Sequence, residues 1–181
     1  MNFHELSRDV LADVSNCLAA VDAAQVSALV GLLASRRQVF LLGSGRTGAV
    51  LNAMAIRLRH LGIEAHTLGA AGCPPLRTGD LVLAASGSGR TSAPLKHAAD
   101  ARSSGASITL ITADPSSAMA DLADSVIHIP AHVTPPEHSP HTLRSLFEEC
   151  LFLTCDCICR MLQQKLGITT ADMQSRHSTC E

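Results

Sequence analysis

Along the N-terminal stretch apolar side chains recur three or four positions apart, at Leu6, Val10, Val14, Leu18 and Val21. This is the period of one helix face and predicts helix over residues 5–35. The pattern then changes. Gln38-Val39-Phe40-Leu41-Leu42 is a short apolar run stopped by Gly43, which is how a strand buried on both faces reads. Helical spacing returns over 47–61 and ends at Gly62, a residue suited to the left-handed turn that closes helices. The alternation continues with strands predicted at 65–68, 80–85, 107–112 and 125–129. Helices are predicted at 91–104, closed by Gly105, and near 116–123. Pro130, Pro135, Pro136 and Pro140 mark 130–142 as a loop, and 143–165 read as a last long helix that Gly167 ends. Strands alternating with helices predict an α/β fold, a three-layer sandwich with a five-stranded parallel sheet flanked by helices.

No repeat, low-complexity segment or linker divides the 181 residues, so 1–181 reads as one domain. Helices 5–35 and 143–165 are expected to pack on it or on a neighbouring subunit. The net charge is −2 without a basic run, and the only aromatics are four Phe. Binding to a phosphate backbone needs clustered Lys and Arg, and base stacking needs aromatic faces, so no nucleic-acid partner is expected. The start lacks the basic and apolar regions of a signal peptide. No apolar run has the length of a membrane span. The seven Cys are an odd number, and together these features predict reduced thiols, a cytoplasmic location and no membrane partner.

Two loops carry candidate chemistry. Gly43-Ser44-Gly45-Arg46-Thr47-Gly48 fits G-x-G-x-x-G between a strand and a helix. A dinucleotide site would need a carboxylate ending the next strand. That strand ends Ala65-His66-Thr67-Leu68-Gly69, with Glu64 at its wrong end. A phosphate or sugar contact through Ser44, Gly45 and Arg46 therefore competes with a turn that serves only tight strand–helix packing. The second loop, Ser86-Gly87-Ser88-Gly89-Arg90-Thr91, follows a strand and opens a helix. Its hydroxyls and free N–H groups suit one phosphate monoester, favoured further by the helix dipole. No Lys follows as in a P-loop, which argues against a nucleoside triphosphate. The alternative is a plain capped helix start, with Ser88 or Thr91 as N-cap. Both loops fall at carboxyl ends of strands, where parallel sheets hold ligands.

The second loop resembles the S-x-S-G-x-T signature of the sugar isomerase (SIS) domain at Ser86, Ser88, Gly89 and Thr91. More of the chain resembles one branch, the 6-phospho-3-hexuloisomerases. The first loop resembles its G-x-G-R-S-G, with Thr47 for Ser. Arg57-Leu58-Arg59-His60-Leu61-Gly62 resembles its R-L-x-H-L-G. Pro74-Pro75 and Gly79-Asp80 resemble its loop before the third strand, and Ser145-Leu146-Phe147-Glu148 its S-x-F-E. The tail from Leu166-Gly167-Ile168 through Met173 to Arg176-His177 resembles its ending. The resemblance implies a flavodoxin-like topology, a homotetramer, and interconversion of D-arabino-3-hexulose 6-phosphate and D-fructose 6-phosphate through a cis-enediol. The implied place is the ribulose monophosphate pathway, after formaldehyde fixation by hexulose-phosphate synthase. The implied alternatives are an isomerase of another phosphosugar, such as arabinose 5-phosphate, and a non-catalytic phosphosugar sensor. Sensors of this kind usually carry a helix-turn-helix segment, for which these residues leave no room.

Such an isomerisation needs a base near C2 and C3 and acids for the two oxygens, with no redox cofactor. It requires no metal if hydrogen bonds stabilise the enediolate. The resemblance makes Glu148 the base, against a reading as a helix-dipole carboxylate. Neighbouring Glu149 points elsewhere on the helix and is expected to be an inert control. His177 is the expected acid/base, reaching a neighbouring subunit's pocket from the tail, against a reading as a frayed terminus. Arg46 is a phosphate or sugar contact. Arg57 and His60 are further candidates, with His60 alternatively a helix C-cap. The chain departs from the branch in three places. Arg90 stands where Glu or Gln is frequent. His141-Thr142-Leu143-Arg144 replaces Q-P-M-G, so the turn before Glu148 is built without that Gly. Residues 131–140 match nothing.

Two apparent metal signals are discounted. On a helix Cys155 and Cys159 share a face while Cys157 points away, as buried thiols do. His128, His132, His138 and His141 read as surface histidines. The apolar stripe that includes Leu146, Cys150, Thr154, Ile158 and Met161 is expected to be core on one side and subunit interface on the other.

Overall fold

The computed structural model describes residues 2–131 and 140–178. The His132, His138 and Cys180 readings and most of the 131–140 loop lie outside the described residues. The chain runs α1 (Phe3–Ala19), α2 (Ala23–Ala34), β1 (Gln38–Leu42), α3 (Gly45–His60), β2 (Glu64–Thr67), β3 (Leu81–Ser86), α4 (Ser92–Ser103), β4 (Ser107–Thr112), β5 (Ser125–His128), α5 (Ser145–Leu166) and α6 (Thr170–Ser175). All strand pairs are parallel, in the order β2-β1-β3-β4-β5.

The expected helix over 5–35 is two helices, bent by 77°. Asp22 breaks it: its side chain accepts the N–H of Ala24 at 2.8 Å and caps α2, an alternative to continuing α1 that Asp offers readily. The expected helix near 116–123 shrinks to a 3-10 turn at Ala120–Leu122. The last long helix begins at Ser145, after a second 3-10 turn over Thr142–Arg144. The tail adds α6, opened by a capping box between Thr169 and Asp172. Among the described residues no single helix is long and apolar enough to cross a membrane.

Strand side chains alternate between two cores, as the pleat requires. Val39, Leu41, Leu81, Leu83 and Ala85 pack with α1, α2, α3 and α5. Phe40, Leu42, Val82, Ala84 and Leu110 pack with Ala98 and Ala101 of α4. Every residue of β3 is buried, which explains its unbroken apolar run. Because α3 and α4 cover opposite faces, the connections from β1 and β3 part in opposite directions. The carboxyl ends of these adjacent strands therefore border a crevice, the position where such sheets bind ligands.

Candidate functional site

That crevice is a cleft of about 1110 Å³ whose walls include Ser44, Thr47, Ser86, Ser88, Arg90, Thr91, Asp114, His141, Phe147 and Glu148. Both Gly/Ser loops thus line one cavity. Ser44 and Thr91 occupy the N-cap positions of α3 and α4 with extended backbones, and neither hydroxyl caps its own helix. Two helix N-termini with unused hydroxyls face the cleft, and their free N–H groups and dipoles favour an anion there. Ser86 and Ser88 brace the second loop, accepting the N–H of Gly89 at 3.0 Å and of Arg90 at 3.3 Å. Each hydroxyl still has its own proton to donate. Thr112 anchors the loop from beneath, donating to the Ser86 carbonyl at 2.7 Å.

The glycines divide between the two readings left open by the sequence. Gly43 and Gly48 serve packing: a Cβ on Gly48 would sit 3.0 Å from the Gly43 carbonyl, and one on Gly43 would sit 3.0 Å from Leu51. Gly45 and Gly89 adopt left-handed backbone, at φ 56° and 59°, and shape their loops without lining the cleft. Gly87 lies under Phe147, whose ring is 3.1 Å from where a Cβ would stand.

Glu148 occupies the first turn of α5, with its side chain 19% exposed and Oε2 3.2 Å from Arg46 Nη2. Thr47 Oγ1 donates to its Oε1 at 3.3 Å, and the same Arg46 nitrogen donates to the Leu143 carbonyl at 2.7 Å. A carboxylate held by a hydroxyl and a guanidinium, in the same cleft as two helix N-termini, can exchange a proton with a bound carbon acid. Arg90 is held by Asp114 at 2.7 Å. The Arg90 hydrogen bond first, and the Ser116 N–H second, keep the Asp114 carboxyl below its ordinary range.

Other candidates lie elsewhere. The rings of His60 and His177 stack with centroids 4.9 Å apart, and Arg176 donates to the His60 carbonyl at 3.0 Å. Arg57 pairs with Asp156. These residues gather at the C-terminal end of α3. Thirteen helical positions, roughly 20 Å at 1.5 Å per residue, separate His60 from Thr47. Within one chain, therefore, His177 and Glu148 are not neighbours. Cys155 and Cys159 are buried and Cys157 is exposed, as helical geometry predicted. His141 and Glu149 correct the sequence reading. His141 is buried rather than on the surface, and Glu149 contacts it at 3.0 Å, so Glu149 is not an inert control. Thr47 and Asp114 went unselected. The signal available for Asp114 was its place just beyond the carboxyl end of β4, the same rule that located both Gly/Ser loops.

Comparisons with known proteins agree with this geometry. The SIS domain family model matches residues 32–143. A 3-hexulose-6-phosphate isomerase of Mycobacterium gastri is 38% identical over 180 residues, covering 97% of this chain and 88% of that protein. A 3-hexulose-6-phosphate isomerase of Bacillus subtilis is 32% identical over 187 residues, covering 100% of both. A solved structure from Methanococcus jannaschii, for which a molecular function of 3-hexulose-6-phosphate isomerase has been inferred, superimposes with a TM-score of 0.81. It covers 97% of each chain at 22% identity, a likeness of fold.

Proposed function

The chain belongs to the SIS-domain family, in the branch of the 3-hexulose-6-phosphate isomerases, and from that premise we propose that it interconverts D-arabino-3-hexulose 6-phosphate and D-fructose 6-phosphate. The observation that carries the reading is that Glu148 and the Ser86–Thr91 loop line one cleft. The phosphate is held by the Ser86, Ser88 and Thr91 hydroxyls and the N-terminus of α4, with Ser44 and Arg46 on the sugar side. Glu148 removes the proton from C2 of the 3-ketose, giving the 2,3-enediolate, and returns a proton to C3. The proton on O2 leaves as O3 gains one, so the step is redox-neutral overall and draws on no cofactor. Thr47 and Arg46 hold the carboxylate in place for both transfers.

His177 serves as the acid/base for the oxygens in the cleft of a neighbouring subunit, a reading supported by its stacking on His60 at the far end of α3 from its own cleft. A homo-oligomer, a tetramer in this branch, is supported by apolar side chains left exposed on α1 and α5: Phe3 and Leu11, Phe152 and Leu153. The cytoplasm and a supply of substrate from hexulose-phosphate synthase complete the reading. The test is incubation with that synthase, ribulose 5-phosphate and formaldehyde, with arabinose 5-phosphate as a parallel substrate. Fructose 6-phosphate is expected, and Glu148→Gln is expected to lower kcat by about 10²–10⁴-fold. No product from the unaltered protein refutes the activity, and full activity in the Gln variant removes Glu148 from it.

A further inference from the structure

His141 is set between two carboxylates. Its side chain is 1% exposed, with Nε2 3.3 Å from Asp13 Oδ2 on α1 and Nδ1 3.0 Å from Glu149 Oε2 on α5. It also lines the cleft. Each ring nitrogen lies within ion-pair distance of a carboxylate, one on α1 and one on α5. His141 immediately precedes the 3-10 turn over Thr142–Arg144, inside which Leu143 is left-handed, at φ 50° and ψ 37°. That conformation is unfavourable for a non-Gly residue, and such residues persist where their surroundings hold them. The Leu143 side chain is 85% exposed, so its own packing does not hold the turn. The contacts at the turn are the ion pairs of His141, just before it, and the Arg46 bond to the Leu143 carbonyl within it.

We propose that His141 is a positioning residue: clamped between Asp13 and Glu149, it fixes the turn whose Leu143 carbonyl holds Arg46 against Glu148. The two adjacent glutamates of α5 divide the work. About 100° of helical rotation separates them, so Glu148 faces the cleft while Glu149 anchors the wall beside it. The kinetic consequence rests on the isomerase reading; the structural consequence, an immobilised Arg46, does not.

The test is a double-mutant cycle of His141→Gln with Arg46→Gln, read as kcat and KM. It is joined by NMR measurement of Arg46 guanidinium N–H exchange in His141→Gln alone. In the Arg46-containing protein, His141→Gln is expected to lower kcat roughly tenfold, and in the Arg46→Gln background by less than about twofold, because the effect passes through Arg46. KM rises by no more than about a few-fold, because Arg46 loosens on the sugar side while the phosphate cradle is untouched. Arg46 N–H exchange accelerates. Asp13→Asn, nearly isosteric and on a partly exposed side chain, gives the same pattern more weakly and carries the test if His141→Gln does not fold. Equal kcat losses in both backgrounds, or undiminished Arg46 protection, overturn the proposal. If the unaltered protein makes no fructose 6-phosphate, the isomerase reading falls, and the exchange measurement alone decides the role of His141.

Discussion

Arg46 and Glu148 face each other at 3.2 Å, a cation in the first turn of α3 against a carboxylate in the first turn of α5. With Arg46 about half exposed, the pair adds little to stability; its effect is on the direction in which Glu148 points. Thr47, one residue on, holds the other carboxylate oxygen. A hydrogen bond to a charged group contributes roughly 1.5–3 kcal/mol. Thr47→Val keeps the volume of this buried side chain and removes that bond. Steady-state kinetics should show kcat lower by about tenfold or more with KM little changed. A variant with unchanged kcat would mean that Glu148 needs no orientation from α3.

Arg90 adds a cation to the lining of the cleft. Its guanidinium, pinned by Asp114, places a positive charge beside the loop proposed to receive the phosphate. Arg90→Gln should raise KM for the phosphosugar several-fold, leave kcat nearly constant and flatten the dependence of KM on ionic strength, since exposed charges are screened by salt. Asp114→Asn should act in the opposite direction and lower KM, because it removes the negative charge that offsets Arg90. The lowered carboxyl pKa of Asp114 fixes the pH behaviour. The pairing is fully present above the unfolded carboxyl value of about 3.9 and is lost only as pH falls through the lowered folded value. The KM difference between native and Asp114→Asn should therefore be constant from pH 5 to 8. A difference that closes within that window would contradict the pairing.

The sheet was legible because both of its faces are covered, so strands such as β3 read as unbroken apolar runs ended by Gly and Ser. The break between α1 and α2 was harder to see, because Leu18 and Val21 keep the helical period across it. Only Asp22, as an N-cap, marked the new start. The cleft itself followed from one rule applied to two loops, and Glu148 from local resemblance. Contacts between segments distant in the chain were not legible. Nothing local to Leu143 announces that its carbonyl will meet Arg46, and nothing in a stretch rich in His and Pro announces that His141 will be buried. The same limit applies to His177, whose stacking on His60 depends on where the tail docks.

Leu143 provides a stability test independent of substrate. Its left-handed backbone and exposed side chain mean that Gly there would relieve strain and remove no packing. Leu143→Gly should raise stability by about 1 kcal/mol, or roughly 2–4 °C in Tm for a chain of this size, measured by thermal denaturation. A lower Tm would show that the Leu side chain contributes packing to the turn.

Gly89 makes the opposite case. A Cβ there would lie 1.9 Å from Ser117 Oγ and 2.4 Å from Ser117 Cβ, in a backbone at φ 59°. Both the close approach and the dihedral exclude a side chain. Gly89→Ala should destabilise by about 2–4 kcal/mol and displace the N–H that Ser86 accepts, with phosphosugar binding weakened as well. Urea unfolding together with calorimetric titration of fructose 6-phosphate would measure both. Near-native stability and affinity would mean that the loop relaxes freely and is not a preformed cradle.

The buried thiols of α5 set the alkaline limit of the fold. Burial raises the Cys150 and Cys155 thiols far above their usual range, with Cys17 and Cys159, respectively, adding to the shift. Burial also raises Cys159 to about 11, against a pull downward from Arg57. For each, the folded pKa lies above the ordinary thiol value of 9.0. Their contribution is therefore fully present below that value. Above it the unfolded chain releases thiol protons that the folded chain retains, so stability falls as pH rises. The slope approaches about 1.4 kcal/mol per pH unit for each such thiol. The chain has no Tyr, so phenol ionisation does not obscure the effect. Urea unfolding under reducing conditions should show a flat free energy from pH 7 to 8.5 and a steepening loss above about pH 9. Cys159→Ala should cost stability at neutral pH through the small cavity it leaves, yet reduce the alkaline slope. A slope unaffected by that substitution, or a free energy that stays flat to pH 10.5, would show that these thiols ionise as readily in the folded protein as in the unfolded chain.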